Sequence, residues 1–451
     1  MSKKPIVLFF SRDYQSEFFP VLVSDVYDSI HVTLNKKEKR NVESRGGKVV
    51  GCLEELYDDL KEADIKFPYL DHSVGSDRFI TGYSTEERLR ILKKIVTFWS
   101  DIYDKYNPGF IVNEVVALEV SEIMYIEARK RNIKYLAFGA FPVKKSFYWH
   151  VNPFHSSMAE RISNIEPTEE DFKDAQAYID KVNSGPIDNP FIKEYKLGKD
   201  LGRLKILLIQ LIRNLYIRFS VKRKIIRQIC YGSAINYFMN EIGYYFKYMI
   251  RNSSYDKLSS LKKEEECVFY PLHFEPEATL FYMSTYYDNQ LALVENILKC
   301  LPEDQFLVIK EHPAQAGFLM QKNWRNLKKR FPNIRLIKAE VSSKEIILRS
   351  KAVVTLVSTA GFEAVILGKP VIVLGKIYFD VFDGINYCST FEEVYKLLRG
   401  YEPFNKSVNL VTYLAKLIAM QNTGNPWPHA ELYSEKNVED VRYAIESEVI
   451  K

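Results

Sequence analysis

The sequence predicts an α/β protein with two parallel-sheet domains and a helical segment between them. Short apolar runs alternate with helical patterns over residues 1–149 and again over residues 266–425, as in repeated βαβ units. Residues 150–265 lack strand-like runs and are rich in helix formers and basic residues. The length of 451 residues suits two domains, and 47% apolar residues are enough for two cores.

In the first domain, five apolar runs predict strands and three amphipathic stretches predict helices. The longest helix has a clear start, because Ser84 can cap it and acids follow at once. It ends where Pro108 and Gly109 break the pattern. No Gly-x-Gly-x-x-Gly follows the first strand, so the dinucleotide fold of dehydrogenases is not supported. The predicted strands are 6–10, 30–33, 48–51, 110–112 and 135–138, and the predicted helices are 54–63, 84–106 and 117–131.

The second domain repeats this alternation from residue 267. A tail, residues 426–451, carries a last helix over 437–447 that could cross back to the first domain. The predicted strands are 267–270, 306–309, 334–337, 352–357 and 371–374, and the predicted helices are 287–300, 323–330, 343–349, 361–367 and 391–399.

Residues 201–240 contain no Asp or Glu and eight basic residues, with leucine and isoleucine between them at helical spacing. This pattern predicts a basic amphipathic helix. It fits adhesion to an anionic membrane surface. It also fits the more common case, an insertion whose apolar stripe packs on the core. The basic residues are Arg203, Lys205, Arg213, Arg218, Lys222, Arg223, Lys224 and Arg227, and the apolar ones are Leu204, Leu207, Leu208, Leu211, Ile212 and Leu215.

Composition predicts a cytoplasmic protein. The five cysteines are scattered and without metal-ligand spacing, which favours a reducing compartment. The first apolar run is too short for a signal peptide, and no run approaches the length of a membrane span. The net charge of +5 does not by itself imply nucleic acid, and no nucleic-acid partner is expected. Peripheral contact with the anionic inner-membrane surface through residues 201–240 is the alternative location.

The first motif with chemical content is Lys-Glu-His-Pro at residues 310–313, directly after an apolar strand. Proline restricts the preceding residue to an extended conformation, so side chains here project in fixed directions. Lys310 and His312 share one face by the period of a strand. Together they can hold a phosphate or diphosphate. The alternative is a histidine satisfied by loop backbone.

The second motif is Ser-Thr-Ala-Gly-Phe-Glu-Ala at residues 358–364, after another apolar strand. Ser358 and Thr359 suit a helix N-terminus, which attracts anions. Gly361 would let a ligand approach the backbone closely. Glu363, in the first turn, could accept a hydrogen bond from a ribose hydroxyl. The alternative is an ordinary capped helix with a favourably placed acid. Two strand ends of one parallel sheet converge on one crevice, so the motifs together indicate a ligand site.

Two further candidates follow strands. His273, Glu275 and Glu277 alternate along the loop after the strand at 267–270 and could contact donor sugar or acceptor. In the first domain, Glu114 follows the strand at 110–112 and could act as a general base or nucleophile. A first-turn acid of the next helix would look the same. Arg12 and Asp13, after the first strand, are weaker candidates of the same kind.

These residues carry a resemblance to a known family. Residues 267–390 resemble the C-terminal part of the bacterial capsule polysaccharide biosynthesis family, which includes retaining β-Kdo transferases. The His-Pro pair and the later Ser-Thr pair are also similar to motifs of bacterial sialyltransferases, where they bind CMP. The matching segments are 270–273 (Tyr-Pro-Leu-His), 310–313, 358–364 and 368–371 (Gly-Lys-Pro-Val).

The resemblance implies a GT-B fold, in which two Rossmann-like domains face a cleft and the C-terminal one binds the donor. It implies a glycosyltransferase that uses a CMP-activated sugar, with Kdo or another ulosonic acid favoured. The acceptor would be a capsule or lipopolysaccharide glycan or a glycolipid. Lys310, His312, Ser358 and Thr359 would stabilise the leaving nucleotide, and Glu114 would be the catalytic carboxylate.

No metal or other cofactor is expected, because these donors can neutralise the phosphate charge. The acidic pair Asp58-Asp59 is predicted to lie inside a helix rather than at a strand end. Two alternatives remain: a glycerol- or ribitol-phosphate transferase that uses a CDP donor, and a non-catalytic capsule assembly protein.

Overall fold

We describe the protein from a computed structural model. The structure describes residues 4–451 except 67–68, 71–78, 81, 142, 144–145, 154–157, 186–200, 233, 261–265, 276, 380–381 and 407–408, and it leaves out the side chains of residues 159–160, 201–203, 217, 234 and 278–279. The chain forms two compact units. The first unit comprises residues 1–153, 212–234 and 421–451, and the second comprises residues 154–211 and 235–420. The helical stretch between the sheets therefore contributes to both units.

The first unit is built on a six-stranded sheet with the order β3-β2-β1-β4-β5-β6. Its strands are parallel except for β6, which runs antiparallel to β5. The order reverses between β1 and β4, and such a reversal leaves a crevice outside the carboxyl ends of the strands. The strands are β1 (Ile6–Phe10), β2 (Asp28–Thr33), β3 (Val49–Cys52), β4 (Phe110–Asn113), β5 (Lys134–Ala140) and β6 (Phe147–His150).

Helices cover this sheet, and the last helix of the chain is one of them. Val441, Ala444 and Ile445 of that helix pack in the same buried cluster as Val7 and Phe9 of β1. The C-terminal helix therefore completes the core of the first unit. The helices are α1 (Gln15–Phe18), α2 (Lys36–Ser44), α3 (Leu53–Leu56), α4 (Thr85–Tyr106), α5 (Glu119–Lys130), α9 (Lys224–Tyr231) and α18 (Glu435–Ile450).

The second unit repeats this design with a six-stranded sheet in the order β12-β11-β10-β7-β8-β9. All of its strand pairs are parallel. The order reverses between β7 and β10, the counterparts of β1 and β4. The strands are β7 (Cys267–Pro271), β8 (Phe306–Lys310), β9 (Ile334–Ile337), β10 (Ala352–Thr355), β11 (Val371–Val373) and β12 (Ile385–Tyr387).

The helices of the second unit surround this sheet, and α8 (Leu201–Ser220) contributes residues to both units. In the described part of the chain, no helix is long and apolar enough to cross a membrane. All five cysteines are unpaired. The other helices are α6 (Met158–Ser163), α7 (Glu169–Ser184), α10 (Ala234–Ile250), α11 (Ala278–Met283), α12 (Gln290–Cys300), α13 (Lys322–Arg330), α14 (Ser343–Arg349), α15 (Thr359–Ile366), α16 (Phe391–Leu398) and α17 (Leu410–Ala419).

Two Rossmann-like α/β sheets are therefore confirmed, with the helices of residues 158–250 between them in the chain. Several details were wrong. The helix predicted at 54–63 is the single turn α3, so Asp58 and Asp59 lie in a turn after it. The strand predicted at 352–357 ends at Thr355. The polar helix α2 was not predicted, because it carries few apolar residues. The edge strands β6 and β12 were not predicted either, because β6 is antiparallel and lies outside the βαβ alternation, and β12 has only three residues.

Candidate functional site

The end of β8 places Lys310 and His312 side by side. β8 is buried between neighbouring parallel strands, so Lys310 at its end is only 7% exposed. His312 begins the short 3-10 turn Pro313–Gln315, and its Nδ1 accepts a hydrogen bond from the backbone N–H of Ala314 at 3.2 Å. A neutral imidazole that accepts through Nδ1 carries its proton on Nε2. His312 can therefore donate one hydrogen bond through Nε2.

Burial and neighbouring charges shift the ionisation of this site. Burial lowers the pKa of Lys310 to about 8, although Glu363 and Glu311 act in the opposite direction. Burial raises the pKa of Glu363 to about 7, and the ammonium of Lys310 opposes this rise. Burial and the charge of Lys310 lower the pKa of His312 to about 4. An anionic ligand would stabilise the charged form of Lys310, because this ammonium has lost most of its hydration.

Glu311 points away from Lys310 and His312 and organises the loop that follows. Its Oε1 accepts hydrogen bonds from the backbone N–H groups of Gly317 and Leu319, at 2.9 and 2.8 Å. Its Oε2 accepts a hydrogen bond from the Tyr255 hydroxyl at 2.7 Å. Sequence reasoning assigned no role to Glu311. The alternation of side chains along a strand places Glu311 on the face opposite to Lys310 and His312, and this could be read from the sequence. Its hydrogen-bond partners could not, because they are remote in sequence.

His273 bridges the crevice of the second sheet. It lies just after β7, and its Nε2 accepts a hydrogen bond from the backbone N–H of Val357, just after β10, at 3.2 Å. Burial and then the nearby His312 lower the pKa of His273 to about 3. The neutral ring therefore carries its proton on Nδ1. This nitrogen is buried, and no described group makes a hydrogen bond of good geometry with it. The side chain of Gln290 lies close enough to raise the pKa of the ring, but a buried donor without a well-aligned partner still needs an explanation.

The N-terminus of α15 comes directly after Val357 in the chain. Ser358 is the N-cap residue, and its Oγ accepts a hydrogen bond from the backbone N–H of Ala360 at 3.2 Å. Thr359 is the first helical residue, and Glu363 lies one turn further on. A Cβ atom on Gly361 would lie 2.8 Å from Cγ2 of Thr355 and 3.2 Å from Cζ of Phe379. The glycine therefore allows α15 to pack closely on β10, whether or not a ligand also approaches it.

The loop after β7 is held mainly by two glutamines. The carboxylate of Glu275 accepts a hydrogen bond from Nε2 of Gln290 at 2.8 Å, and its backbone N–H donates to Oε1 of Gln315 at 2.8 Å. Glu277 occupies the N-cap position of α11. The predicted ligand contacts of Glu275 and Glu277 stay predictions. The contacts of Glu275 show that its carboxylate already fixes the loop.

A second polar cluster lies at the crevice of the first sheet. Oε2 of Glu114, just after β4, accepts a hydrogen bond from Nε2 of Gln15 at 2.7 Å. Burial raises the pKa of Glu114, and the charge of Arg12 opposes this rise while that of Asp13 adds to it. The structure thus brings Glu114 together with Arg12 and Asp13, which follow β1. Their positions after separate strands could be read from the sequence.

A cavity of about 450 Å³ lies beside this cluster in the first unit. Glu38 forms part of its wall and was not singled out in the sequence. This buried carboxylate accepts hydrogen bonds from the backbone N–H groups of Asp13 and Leu34, at 3.0 and 2.9 Å. Asp13 has a positive φ of 50°, which is uncommon for a residue other than glycine. The lining includes Asp13, Tyr14, Lys37, Glu38, Arg213 and Tyr231.

The predicted residues therefore fall into two groups. Lys310, His312, His273 and Glu363 lie together in the second unit, with Ser358 one residue beyond the partner of His273. Glu114 lies in the first unit with Arg12 and Asp13. In the described ranges, no group of three or more His, Cys, Asp or Glu side chains is arranged to hold a metal ion.

Sequence comparison identifies similar proteins. Residues 231–403 match the family described as capsule polysaccharide biosynthesis protein. Over 129 residues the chain is 31% identical to the capsule polysaccharide export protein KpsS of Escherichia coli, and the match covers 25% of this chain and 32% of KpsS. The chain thus spans about a third of the length of that relative.

The matches among solved structures are more distant. One is a KpsC β-Kdo 2,7 transferase of Thermosulfurimonas dismutans, with 13% identity and a TM-score of 0.42 over 93% of this chain and 98% of the other. Another is a UDP-GlcNAc 2-epimerase of Neisseria meningitidis, with 11% identity and a TM-score of 0.29 over 98% of this chain and 100% of the other. The family match covers β7 to β12 and includes both phosphate-type motifs. The resemblance to the capsule polysaccharide biosynthesis family that the motifs predicted is thus confirmed over residues 231–403.

Proposed function

We propose that this protein is a glycosyltransferase that moves a sugar from a CMP-activated donor to a bacterial capsule or lipopolysaccharide glycan. Kdo or another ulosonic acid is the favoured sugar. The observation that carries the proposal is the group of Lys310, His312 and His273 at the crevice of the second sheet. Two desolvated hydrogen-bond donors and one desolvated cation lie where α/β sheets bind ligands, beside the N-terminus of α15.

The nucleotide phosphate would lie against this group. Lys310 supplies a positive charge, and Nε2 of His312 supplies a directed N–H. The N-terminus of α15, with Ser358 and Thr359, adds backbone dipoles that favour an anion. These groups are fixed before the ligand arrives, so they would stabilise the charge that develops on the leaving nucleotide. Glu363 would accept a hydrogen bond from a ribose hydroxyl. A metal ion is not part of the proposal, because these donors can neutralise the phosphate.

The reacting carboxylate would be Glu114. Its raised pKa suits a group that must take a proton from an attacking hydroxyl near neutral pH. The cavity beside Asp13 would receive the acceptor. Its wall combines carboxylates, which can accept hydrogen bonds from sugar hydroxyls, with tyrosine rings and the cations Lys37 and Arg213. This mixture suits a polyhydroxylated ligand with acidic groups.

A thermal-shift measurement with CMP, CDP, UDP and GDP tests the donor assignment. A nucleotide that binds only the folded protein raises its melting temperature according to its concentration and affinity. Stabilisation by CMP alone supports the proposal. Stabilisation by CDP alone would instead favour a polyol-phosphate transferase, and stabilisation by none of the four a non-catalytic assembly role.

Intact-mass analysis of an acceptor glycan after incubation with CMP-Kdo tests the reaction itself. A mass increment of one sugar supports transfer. An unchanged acceptor mass, in a preparation that binds CMP, would contradict the proposed sugar.

A further inference from the structure

Helix α8 turns an apolar stripe outward. Ile212, Tyr216 and Phe219 are 59%, 72% and 71% exposed, and Leu208 and Ile209 are 51% and 54% exposed. An α-helix turns about 100° per residue, so these five positions fall within an arc of about 100°. A stripe of this width is the one that a surface helix normally buries against its core. In α8 it faces solvent instead.

The side of α8 that faces the core is separate from the exposed stripe and is narrower than it. Leu207 lies on the opposite side of the helix and is 7% exposed. The packing alternative expected from the sequence, in which the leucine and isoleucine stripe faces the core, therefore holds for Leu207 but not for Leu208 or Ile212. The helix has two apolar sides, and among the described residues only the side with Leu207 is buried.

The charged residues of α8 and of the segment that follows it are all basic, whereas acids of other elements lie beside them: Arg223 pairs with Asp58, and Glu17 and Glu38 line the cavity that Tyr216 also lines. Lys205 is exposed within the same arc, and Lys222 and Lys224 are exposed just beyond the end of the helix. The ammonium of Lys37 lies 5.9 Å from the centre of the Tyr216 ring. No Asp or Glu occurs anywhere in residues 201–240. The side chain of Arg203 lies outside the described residues.

We propose that α8 docks the protein on an anionic lipid surface. Leu208, Ile209, Ile212 and Phe219 would enter the boundary between head groups and acyl chains. Tyr216 would sit at the head-group level, where its ring and hydroxyl are both satisfied. The lysines would contact anionic head groups. Charge complementarity selects this occupant: a second copy of α8 would bring like charges together, whereas an anionic bilayer neutralises them.

Comparison with a second helix, α10, shows why we assign the lipid contact to α8. Helix α10 also exposes apolar residues on one side, including Ile235, Met239 and Ile250. Its sequence, however, contains one lysine, Lys247, and one acid, Glu241. Of these two helices, only α8 therefore has the excess of positive charge that would attract an anionic lipid surface. This inference does not depend on glycosyl transfer, because it would hold for an assembly protein with the same helix.

Flotation of the full chain with lipid vesicles tests the proposal. We expect binding to vesicles of equimolar phosphatidylcholine and phosphatidylglycerol at low salt, and at least tenfold less binding to pure phosphatidylcholine. High salt should weaken the binding, because exposed charges are screened within about 3 Å at 1 M.

Two variants separate the contributions. Ile212→Ser/Phe219→Ser removes the centre of the stripe and should reduce binding at least tenfold. Lys205→Gln/Lys222→Gln/Lys224→Gln should reduce it about fivefold for each lysine removed, the factor expected for a lysine near an anionic surface. The matched controls are Val23→Ser/Tyr443→Ser and Lys322→Gln/Lys329→Gln, at exposed positions elsewhere, and they should bind like the wild type. Far-UV circular dichroism checks that every variant is folded.

A direct readout of insertion is the variant Phe219→Trp. Its fluorescence should shift to the blue when anionic vesicles are added, and lipids with brominated acyl chains should quench it. The proposal is wrong if the wild type fails to bind anionic vesicles at low salt. It is also wrong if the stripe variant binds as well as its control. Self-association in light scattering that Ile212→Ser/Phe219→Ser abolishes, without vesicle binding, would assign the stripe to a second copy of the chain.

Discussion

Single residues around the end of β8 have pKa values that differ from those of the same groups in water. Lys310 is a buried ammonium, Glu363 is a buried carboxyl group, and His312 is a neutral imidazole at physiological pH. Burial of a charge costs free energy unless a partner compensates for it. Groups of this kind are common at functional sites, where a ligand supplies the compensation.

Lys310→Met should stabilise the free protein and weaken nucleotide binding. Because the pKa of Lys310 falls from 10.5 to about 8 on folding, the unfolded state binds more protons between these values, and the wild-type stability rises with pH there. A shift of this size corresponds to about 3 kcal/mol. We therefore expect the free energy of unfolding of the variant to be about 1–3 kcal/mol higher than that of the wild type at pH 7, and to lose this pH dependence. The lower part of this range allows for the charge partner that Glu363 loses. Urea unfolding between pH 7 and 10.5 measures both effects.

Calorimetry with CMP completes this test. The wild-type affinity should fall as the pH rises above 8, because the phosphate needs the charged ammonium, and the affinity of Lys310→Met should be weaker and flat. Lys322→Met, at an exposed position, is the control. A variant that is less stable than the wild type at pH 7 would show that the buried ammonium is compensated within the free protein.

Three replacements of His312 separate its two nitrogens. His312→Asn keeps an acceptor near the position of Nδ1 and can still cap the turn at Ala314, but it loses the Nε2 donor. His312→Gln places an amide N–H near the position of Nε2. His312→Ala loses both, and it should cost about 1 kcal/mol of stability through the lost cap. If Nε2 contacts the leaving phosphate, kcat should fall by about 100-fold or more in the Asn and Ala variants, and less in the Gln variant. Equal activity of the Asn variant and the wild type would remove His312 from the reaction.

Glu114→Gln should leave the fold intact and slow transfer. Burial raises the pKa of Glu114, so the folded protein holds this proton more tightly, and its ionisation weakens the fold as the pH rises above the ordinary carboxyl range. The variant should therefore be at least as stable as the wild type at pH 8. We expect kcat to fall by about 10²–10⁴-fold with the donor KM unchanged, the size of effect expected for a general base. Glu431→Gln, at an exposed site, is the control, and a variant with normal kcat would place the base elsewhere.

At the scale of elements, the position of the candidate site depends on the close packing of α15 against β10. Gly361→Ala would bring a Cβ atom within 2.8 Å of Thr355, so α15 would have to move. We expect a loss of about 1–3 kcal/mol from overpacking and weaker nucleotide binding. Gly243→Ala in α10 is the matched control: the nearest atom would be the flexible end of Lys247 at 3.7 Å, and alanine should stabilise the helix by about 0.5–1 kcal/mol. Urea unfolding of both variants measures the difference, and equal effects would contradict the packing role of Gly361.

The elements also show why periodicity predicts some features and misses others. The buried parallel strands were predictable, because a short run such as that of β8 is apolar on both faces. The period of a strand likewise placed Lys310 and His312 on one face. The contacts of Glu311 with Tyr255, Gly317 and Leu319 depend on residues brought near by the fold. The pattern of α8 predicted an apolar stripe, but a period cannot say whether that stripe faces the core or solvent.

At the scale of the whole molecule, the two sheets have the same strand order, and each has its polar cluster at the same topological position. The first sheet collects Arg12, Asp13 and Glu114 after β1 and β4. The second collects His273 after β7 and Val357 after β10, with Lys310 at the end of the next strand, β8. The alternation along the chain predicted both sheets, and the tail was expected to carry a helix that could cross back to the first domain, but its contacts in the first core could not be read from the sequence. That packing depends on side chains more than 400 residues apart in sequence, such as Val7 and Val441.

One experiment on the whole chain tests whether the nucleotide binds at the second sheet and not at the first. Hydrogen–deuterium exchange with and without CMP should show protection in the peptides after β7, β8 and β10, because the nucleotide would order the N–H groups near His273, His312 and Thr359. The peptides with residues 11–15 and 113–117 of the first unit should exchange at the same rate in both conditions. Protection there, with none after β8 and β10, would assign the nucleotide to the first sheet and overturn the donor role of Lys310. The Lys310→Met variant should lose the protection after β8, which separates direct binding from a general stabilisation of the fold.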